Sequence, residues 1–512
     1  MNITIEFNDL FEKALGLLEN THKNVFVTGK AGTGKSTLLN YFRLDTRKKV
    51  VVLAPTGVAA INVSGETIHS FFGFKPDITL EKVRRLKFKR GKPNIYKKLD
   101  AIIIDEISMV RSDLLDCMDK FLRLNGPNSK KPFGGLQMIF FGDLYQLPPV
   151  VVGREKAIFK DHYETEYFFS AKVFKKLAME YLELEKVYRQ KDEKFIALLN
   201  SIRNNTAGDE ELGAINQRLD ATYDPKGDFY IHLTTTNSMA SEINSIELAK
   251  LPGQLAVYQG MLDGDFEVRQ LPTEMDLKIK PGAQVMMLNN DPMGHWVNGT
   301  MAKIIKAKED EIVVELANGN QYQVAPYTWE IFHFQLDPTT GGLSSEIVAS
   351  YTQFPLKLAW AITIHKSQGK TFDNVIIDIG KGTFAHGQMY VALSRCRSLE
   401  GMVLKKPIKK SHIFMDWRIV KFVTGYQYLI SEKELSFKDK KTMIEKAIED
   451  RKWLKITYLK ATDEKSKRVI EPISCGEMNY NGKPFFGVRA LCQNRGQERT
   501  FRLDRMLEIE EV

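Results

Sequence analysis

The stretch Gly29-Lys-Ala-Gly-Thr-Gly-Lys-Ser36 decides how this chain folds, because it fits the pattern G-x-x-x-x-G-K-[ST]. The apolar run at 25–27 precedes it, and a helical pattern at 37–42 follows it. The glycines allow the backbone to curl so that successive N–H groups point inward, and the helix adds the positive end of its dipole. The stretch therefore predicts a phosphate-binding loop between a strand and a helix of an α/β domain.

The residues of this loop are expected to bind a nucleoside triphosphate. Lys35 would neutralise the β- and γ-phosphates, and the Ser36 hydroxyl would ligate Mg²⁺. The other residues assigned to the nucleotide are Gly29, Ala31, Gly32, Thr33, Gly34 and Thr37 of the loop and Gly369 of a later motif. The alternative, a turn that carries a lysine by chance, stays open at this point.

Two adjacent carboxylates, Asp105 and Glu106, follow the apolar run at 101–104. At the end of a strand beside a phosphate-binding loop, we expect Asp105 to hold Mg²⁺ and Glu106 to accept the proton of the attacking water. The alternative is a solvated acidic turn. Gln146 follows the next apolar run and is a candidate sensor of the γ-phosphate, with a tight loop as its alternative.

Two arginines, Arg189 and Arg395, are candidates to stabilise the charge that develops on the transferred phosphoryl group. A planar guanidinium with a permanent charge suits that role. The alternative is an exposed arginine in a salt bridge, and the spacing along the chain does not decide between the two.

The overall composition predicts a basic globular protein with several domains. At 512 residues the chain is too long for one hydrophobic core, and its formal net charge of +9 favours a polyanionic partner. The acidic N-terminus does not fit a targeting peptide and the apolar runs are shorter than a membrane span, so we expect a cytoplasmic protein. The cysteines lack the spacing of a metal site and are expected to be buried thiols: Cys117, Cys396, Cys475 and Cys492.

Apolar runs without alternation predict strands that are buried on both faces, as in a parallel sheet covered by helices. A first set of such runs lies at 25–27, 50–53, 101–104 and 137–141. A second set, which predicts a second α/β domain, lies at 229–237, 283–288, 356–369 and 374–379. Short alternating strands at 299–355 predict a small β-barrel inserted in that domain, and the polar segment 435–442 is expected to be a linker.

Eight motifs, taken in chain order, resemble those of superfamily-one helicases. They are GKAGTGKST (29–37), APTGVAA (54–60), TIHSFFG (67–73), DEISM (105–109), GDLYQLPPV (142–150), VYRQ (187–190), AWAITIHKSQGKT (359–371) and MYVALSRCRS (389–398). The combination is most similar to the petite-integration-frequency (Pif) branch, within the subgroup that also contains RecD-like enzymes. The resemblance covers about residues 5–430 and is most specific in FGGLQMIFFGDLYQLPPV (133–150) and in the segment 277–300.

This resemblance implies two RecA-like P-loop domains that bind ATP between them. The expected bounds are 1–170 for the first domain, with an inserted wedge at about 64–98, then 171–298 with 356–430 for the second, and 299–355 for the inserted β-barrel. Asp105 and Glu106 would lie on the first domain, while Arg189 and Arg395 would reach from the second. Gln146 becomes the residue that couples the nucleotide to movement.

The resemblance also implies single-stranded DNA as the track. The family's backbone contacts correspond here to Pro55, Thr56, Gly57, His69, Ser70, His365, Lys366 and Ser367. Small residues and hydroxyls at helix N-termini grip phosphates without reading bases. The implied activity is ATP- and Mg²⁺-dependent translocation from 5′ to 3′, with unwinding of duplex, forked and G-quadruplex DNA in repair, recombination or replication. A nucleoid-associated monomer that can dimerise on DNA is implied as well.

Two features leave alternatives open. Family members often carry a glutamine that reads adenine ahead of the phosphate loop, and this chain offers Asn8 or Glu12 instead, so strictness for ATP is open. The basic stretch KVRRLKFKRGKPNIYKK (82–98) would either widen the DNA path or form a solvated helix and loop.

The segment 443–510 resembles the bacterial WYL domain, a small β-barrel, which we expect at 440–512. The resemblance depends on Tyr458, Arg468, Pro472 and the ending Arg499-Thr-Phe-Arg-Leu-Asp-Arg505. Phe485-Phe-Gly487 replaces the Trp-Tyr-Leu triplet that gives the domain its name. Arginines among aromatics suit strand binding or an ordinary barrel surface. A DNA-stimulated ATPase switch controlled through this domain, or an RNA helicase, are the alternative functions.

Overall fold

The computed structural model describes residues 8–75, 77–86, 94–151, 159, 161–225, 229–264, 271–309, 311–336 and 343–512. The chain divides into two compact units. The first comprises Met1–Asn200 and Ala207–Phe414, and the second comprises Ser201–Thr206 and Met415–Val512. Among the described residues, no helix is both long and apolar enough to cross a membrane.

The first part of unit one is a parallel sheet with helices around it. Its helices are α1 (Asp9–Asn20), α2 (Lys35–Asp45), α3 (Gly57–Asn62), α4 (Ile68–Phe72), α5 (Leu80–Val83) and α6 (Ser112–Asn125). Its strands are β1 (Asn24–Gly29), β2 (Val50–Ala54), β3 (Glu66–Thr67), β4 (Ala101–Ile104), β5 (Gln137–Phe141) and β6 (Met179–Leu184). They pair in the order β3-β2-β4-β5-β1-β6, with every neighbouring pair parallel.

The apolar runs of the sequence form the centre of this sheet. All residues of β4 and β5 are buried, as are all but the first of β1. Phe11 of α1 and Leu38 of α2 join Val25 and Val27 in one hydrophobic cluster on one face. This arrangement is the predicted RecA-like α/β domain, and it fixes the loop that joins β1 to α2.

The boundary expected at residue 170 falls before the last strand of this sheet. β6 pairs with β1 over its whole length, so the first domain continues to Leu184. Three side chains of β6 are buried and three are partly exposed, because the strand lies at the sheet edge. The prediction missed it because it relied on unbroken apolar runs.

The inserted wedge expected at about 64–98 is described only in part, because residues 76 and 87–93 lie outside the described residues. The basic stretch 82–98 therefore stays a prediction. Its flanks are packed on aromatic side chains, which are mutually in contact and nearly fully buried: Phe71, Phe72, Phe74, Tyr96 and Phe121. Phe71, Phe72 and Phe74 are thus core residues, and they do not face the solvent.

Among the residues that the structure describes, four more helices and fourteen strands follow in unit one, and the first of these helices ends in the short segment Ser201–Thr206 of unit two. The helices are α7 (Glu193–Arg203), α8 (Asp209–Asn216), α9 (Asn237–Lys250) and α10 (Gln388–Leu393). The strands are β7 (Ile231–Thr234), β8 (Ala256–Gln259), β9 (Met261–Gly264), β10 (Asp276–Ile279), β11 (Gln284–Met287), β12 (Met301–Lys308), β13 (Glu311–Leu316), β14 (Gln321–Val324), β15 (Tyr327–Leu336), β16 (Leu343–Gln353), β17 (Leu356–Leu358), β18 (Ala361–Thr363), β19 (Val375–Asp378) and β20 (Met402–Leu404).

The second RecA-like domain is built on a parallel sheet in the order β18-β7-β19-β20. Almost all side chains of these strands are buried. Two elements therefore belong to this domain, as the sequence predicts. They are the segment of residues 364–371, which follows β18, and helix α10.

Antiparallel strands form the insertion, and they extend beyond the expected bounds of 299–355. The five-stranded sheet has the order β14-β13-β12-β11-β17, and its strands β11 and β17 lie outside those bounds. A ribbon of β8 and β10 and a sheet of β15, β16 and β9 complete it. The buried core joins residues of both parts, including Leu277, Val285, Ile304 and Leu356, so the insertion begins near residue 256.

Unit two contains the helices α11 (Trp417–Glu434) and α12 (Phe437–Glu449). Its strands are β21 (Leu454–Leu459), β22 (Lys465–Tyr480), β23 (Lys483–Cys492), β24 (Gln497–Arg502) and β25 (Met506–Glu511). They form an antiparallel sheet in the order β24-β23-β22-β21-β25. Ile444 and Ala447 of α12 are buried against Ile456 and Val488 of this sheet.

Two expected boundaries change in unit two. Helix α11 belongs to this unit rather than to a domain ending at 430, because the Ser431 hydroxyl donates to the carbonyl of Leu507 at 2.7 Å and the Gln427 amide to Asp463 at 2.8 Å. The linker expected at 435–442 is mostly the first turns of α12. Ser436 caps that helix by accepting from the amide of Asp439 at 3.2 Å.

Replacing Ser436 by alanine removes this N-cap and should weaken the start of α12 by about 1 kcal/mol. We expect the amides of the first turn of α12 to exchange their hydrogens about fivefold faster, as measured by hydrogen-exchange mass spectrometry on the full chain. Ser436→Thr keeps the hydroxyl and is the control. Unchanged exchange in Ser436→Ala would contradict the assignment of this cap.

Candidate active site

The phosphate-binding loop lies at the carboxyl end of β1 and leads directly into α2. The Lys35 ammonium donates hydrogen bonds to the carbonyls of Gly29 at 2.7 Å and Lys30 at 2.9 Å, so it lies over the loop. Ser36 and Thr37 of the first turn of α2 are exposed, and Ser36 lines a large cavity. This is the arrangement that the motif predicts.

One glycine of the loop is required by a close approach. Gly32 has φ of +79°, and a Cβ at this position would lie 2.5 Å from the Cβ of Arg189. The amide of Tyr188 also donates to the Gly32 carbonyl at 2.8 Å. The loop therefore packs on the segment that carries one of the two candidate arginines.

The two carboxylates lie at the end of β4, and Glu106 has an uncommon backbone conformation. Its φ of 49° lies in the left-handed region, which costs a non-glycine residue on the order of 1 kcal/mol. Burial raises the pKa of Glu106, and the nearby charge of Asp105 raises it further. Burial also raises the pKa of Asp105, against the effect of a backbone hydrogen bond and of Lys35. A raised pKa suits a group that accepts a proton.

Glu106 is held by a residue that the sequence reasoning did not single out. The Gln368 amide donates to Glu106 Oε2 at 3.0 Å and to Gln146 Oε1 at 3.4 Å. Gln368 follows β18 in the second RecA-like domain, so it connects the candidate base and the candidate sensor across the two domains. Gln146 is buried and also donates to Asp143 at 3.4 Å.

Both candidate arginines approach the same region. Arg189 donates to the carbonyl of Ser394 at 3.1 Å. Arg395 is 1% exposed and donates to Val391 O at 2.9 Å and to the Ser394 hydroxyl at 2.9 Å. Burial lowers the pKa of Arg189 to about 10 and that of Arg395 to about 9, so both keep their charge at neutral pH. The exposed salt-bridge alternative fails for Arg395, because its guanidinium is buried.

A cavity of about 1300 Å³ brings the two sets of predicted residues together. It is lined by Ser36, Asp105 and Glu106. The same cavity is also lined by residues assigned to DNA or the nucleotide, namely Thr56, His365, Lys366 and Gly369. One continuous space therefore joins the phosphate-binding loop to the proposed strand contacts.

Not every residue assigned to DNA lines this cavity. Ser367 is fully buried, and its hydroxyl donates to the carbonyl of Ile364 at 2.7 Å, so its side chain does not face a strand. Its role here is to shape the turn at His365–Ser367. The lining, as far as the chain is described, also omits Pro55, Gly57, His69 and Ser70. Ser70 is exposed and donates to the buried Glu66 at 2.6 Å.

Lysines that the sequence reasoning missed gather near the same cavity. Lys370 lines it and donates to Asn298 at 2.6 Å, and burial lowers its pKa to about 8. Burial, together with the charges of Lys370 and Lys366, lowers the pKa of Lys357 to about 7. The only early signal was the position of Lys370 inside the motif AWAITIHKSQGKT.

Asn8, which stands near the position of the family's adenine-reading glutamine, uses its amide within the protein. Its side-chain oxygen accepts from the amide of Phe11 at 2.9 Å and caps α1, and its nitrogen donates to the Tyr188 hydroxyl at 3.2 Å. These two bonds hold the side chain of Asn8 between helix α1 and Tyr188.

Family models match three parts of the chain. The PIF1-like helicase family matches residues 2–212, the UvrD-like helicase C-terminal domain matches 358–400, and the WYL domain matches 439–511. The first two cover the phosphate loop, the carboxylates and the motifs around Gln368 and Arg395.

Relatives match over about three quarters or more of the chain. The ATP-dependent DNA helicase PIF1 of Danio rerio is 36% identical over 396 residues, which cover 74% of this chain and 58% of that relative. The ATP-dependent DNA helicase Pif1 of Bdellovibrio bacteriovorus is 33% identical over 438 residues, covering 83% of this chain and 93% of that one.

Solved structures agree with these relatives. Pif1 from Bacteroides sp in complex with ADP-AlF4 is 38% identical with a TM-score of 0.75, and the match covers 82% of this chain and 97% of that one. Its complex with ADP-AlF3 and ssDNA has a TM-score of 0.61 at 39% identity over the same shares. Because the identity exceeds 30% over more than nine tenths of the Bdellovibrio and Bacteroides proteins, the chain belongs to the PIF1-like helicase family and carries a WYL domain at 439–511.

Proposed function

We propose that this protein is an ATP-dependent DNA helicase that moves from 5′ to 3′ on single-stranded DNA and separates duplex, forked and G-quadruplex structures. The cavity that joins Ser36, Asp105 and Glu106 to Thr56, His365 and Lys366 is the observation that carries the proposal. A motor needs its nucleotide site and its strand contacts to be connected, because ATP hydrolysis must change how tightly the strand is bound. The names of the relatives, and the nucleotide and ssDNA bound to the Bacteroides protein, support the same substrates.

The chemistry follows from the buried groups of the site. Lys35 would release the loop carbonyls to bind phosphate oxygens, since a phosphate is a stronger partner for an ammonium than a neutral carbonyl. Glu106, held by Gln368, would take the proton of the attacking water. Arg189 and Arg395 would stabilise the charge on the transferred group. Ser36 and Asp105 fit as oxygen ligands of Mg²⁺, which would supply positive charge beside the phosphates.

Contacts between the two RecA-like domains would couple ATP hydrolysis to the binding of the DNA strand. Gln368 directly follows the turn that includes His365 and Lys366. Its side-chain amide donates hydrogen bonds to Glu106 and Gln146 of the first domain. A DNA strand bound by this turn would therefore also fix the position of Glu106, the general base. Hydrolysis should be fastest when the strand is bound.

The general base gives the first test. Glu106→Gln removes the proton acceptor at nearly constant shape and should lower ATP hydrolysis at least about a hundredfold while strand affinity is kept. Lys35→Ala should abolish hydrolysis with strand binding retained, because the strand contacts lie elsewhere. Steady-state hydrolysis and fluorescence anisotropy with labelled oligonucleotides measure the two properties. Glu242→Gln and Lys13→Ala, both at exposed positions, are the controls.

The link from Gln368 to Glu106 gives the second test. Removing a hydrogen bond to a charged group costs about 1.5–3 kcal/mol, so Gln368→Ala should lower the strand-stimulated kcat by about ten- to a hundredfold. Gln321→Ala is the matched control. It removes a hydrogen bond of the same 3.0 Å length, which the Gln321 amide donates to Glu315 on the insertion. Equal kcat in the Gln368 variant and the wild type would show that Glu106 needs no such support.

The direction of movement gives the third test. Unwinding should be fast on duplexes with a 5′ DNA tail and absent or slow on those with a 3′ tail, as measured by strand separation in a gel or by fluorescence. A preference for the 3′ tail would overturn the polarity. A preference for 5′ RNA tails would favour the RNA helicase, and strand-stimulated hydrolysis without any separation would favour the ATPase switch. Adding a G-quadruplex substrate tests the extension to that structure.

A further inference from the structure

Tyr390 of helix α10 connects the second RecA-like domain directly to the phosphate-binding loop. Its hydroxyl accepts a hydrogen bond from the backbone amide of Ala31 at 2.9 Å. Both residues are buried, with Ala31 7% and Tyr390 4% exposed. Ala31 is the third residue of the loop, so a side chain of one domain holds an amide of the loop that binds phosphate in the other.

The start of the same helix is fixed to the loop that carries Gln146. The ring nitrogen Nε2 of His386 is 3.1 Å from the carbonyl of Leu144. Gly387 has φ of +69°, and a Cβ there would collide with the carbonyls of Tyr145 and Gln146. Helix α10 therefore contacts two catalytic loops of the first domain, one at its start and one through Tyr390.

The end of the helix leads into the two arginines. The carbonyl of Ser394 accepts from Arg189 at 3.1 Å and from Gln190 at 3.2 Å, and Arg395 donates back to Val391 of the helix at 2.9 Å. A shift of α10 would thus move Arg395 relative to Glu106. The position of the helix depends on the phosphate loop as long as the bond from Ala31 to Tyr390 holds.

We propose that Tyr390 is a positioning residue for hydrolysis. Through its hydrogen bond to the phosphate-binding loop, it fixes the position of helix α10 and therefore the position of Arg395. The Tyr390 hydroxyl accepts from the Ala31 amide, so the loop and helix α10 keep one relative position while that hydrogen bond holds. The inference rests on the proposed function and adds to it the residue through which the loop and the arginine act together.

The contact spans two domains, and this determines its kinetic effect. Nucleotide can bind the loop of the first domain without Tyr390, whereas the arrangement that hydrolyses it needs the second domain in place. If the contact is needed only for the hydrolysis step, its loss lowers kcat and kcat/KM equally and leaves KM unchanged. A purely structural tyrosine would instead lower the melting temperature or the fraction of active protein.

The test is Tyr390→Phe in the full chain, which removes the hydroxyl and keeps the ring. We expect strand-stimulated kcat to fall about tenfold, as for the loss of one ordinary hydrogen bond, with KM for ATP and strand affinity within about twofold of the wild type. Tyr258→Phe removes a buried hydroxyl that donates to the carbonyl of Lys308 at 2.6 Å in the insertion, and it should leave kcat unchanged. Melting temperature and active-site titration are measured for each protein.

The outcomes separate this proposal from the proposed function. If the wild type hydrolyses ATP with strand stimulation but Tyr390→Phe keeps its kcat, the role of Tyr390 is refuted and the motor stands. A fall confined to the melting temperature or the active fraction also refutes it. If the wild type shows no strand-stimulated hydrolysis, the proposed function itself fails. A second variant, Gly387→Ala, should lower kcat without changing KM because it displaces the same helix.

Discussion

The close packing of Gly32 on Arg189 is the constraint on which the site depends. Because no side chain fits between them, the phosphate-binding loop and the segment after β6 must keep one fixed relation. The amide of Tyr188 strengthens it by donating to the Gly32 carbonyl. Arg189 in turn reaches Ser394 beside Arg395, so the geometry of the loop extends to both arginines. A substitution at residue 32 would disturb all of these contacts together.

The parts of the fold that sequence could predict are those set by local pattern. Unbroken apolar runs gave the central strands β1, β4 and β5, and the glycine spacing gave the phosphate loop. The edge strand β6 could not be recognised in this way, because an edge strand is only half buried and its partner lies about 150 residues away along the chain. The insertion was placed too late for the same reason, since β11 pairs with both β12 and the distant β17.

In the candidate site too, the residues that could be predicted are those whose role depends on a local motif. Lys35, Asp105 and Glu106 were found because each lies in a motif whose chemistry is local. Gln368 and Tyr390 lie within motifs of the sequence, but local pattern cannot predict their roles, since their partners belong to the other RecA-like domain and only the folded chain brings them together. Ser367 was assigned to the strand because a hydroxyl in that motif suggests phosphate contact, yet its bond to Ile364 turns it inward.

The lysines near the cavity have a further consequence for how the protein meets a polyanion. With pKa values of about 7 for Lys357 and about 8 for Lys370, part of their ammonium charge is missing at neutral pH. A phosphate chain that entered the cavity would favour the charged form of Lys370, which lines it, and raise the pKa of that lysine. Binding would then take up protons from the buffer, and the affinity would decline as the pH rises above about 8. The acidity of the solution would thus be a second factor, besides the nucleotide, that changes how firmly a strand is held.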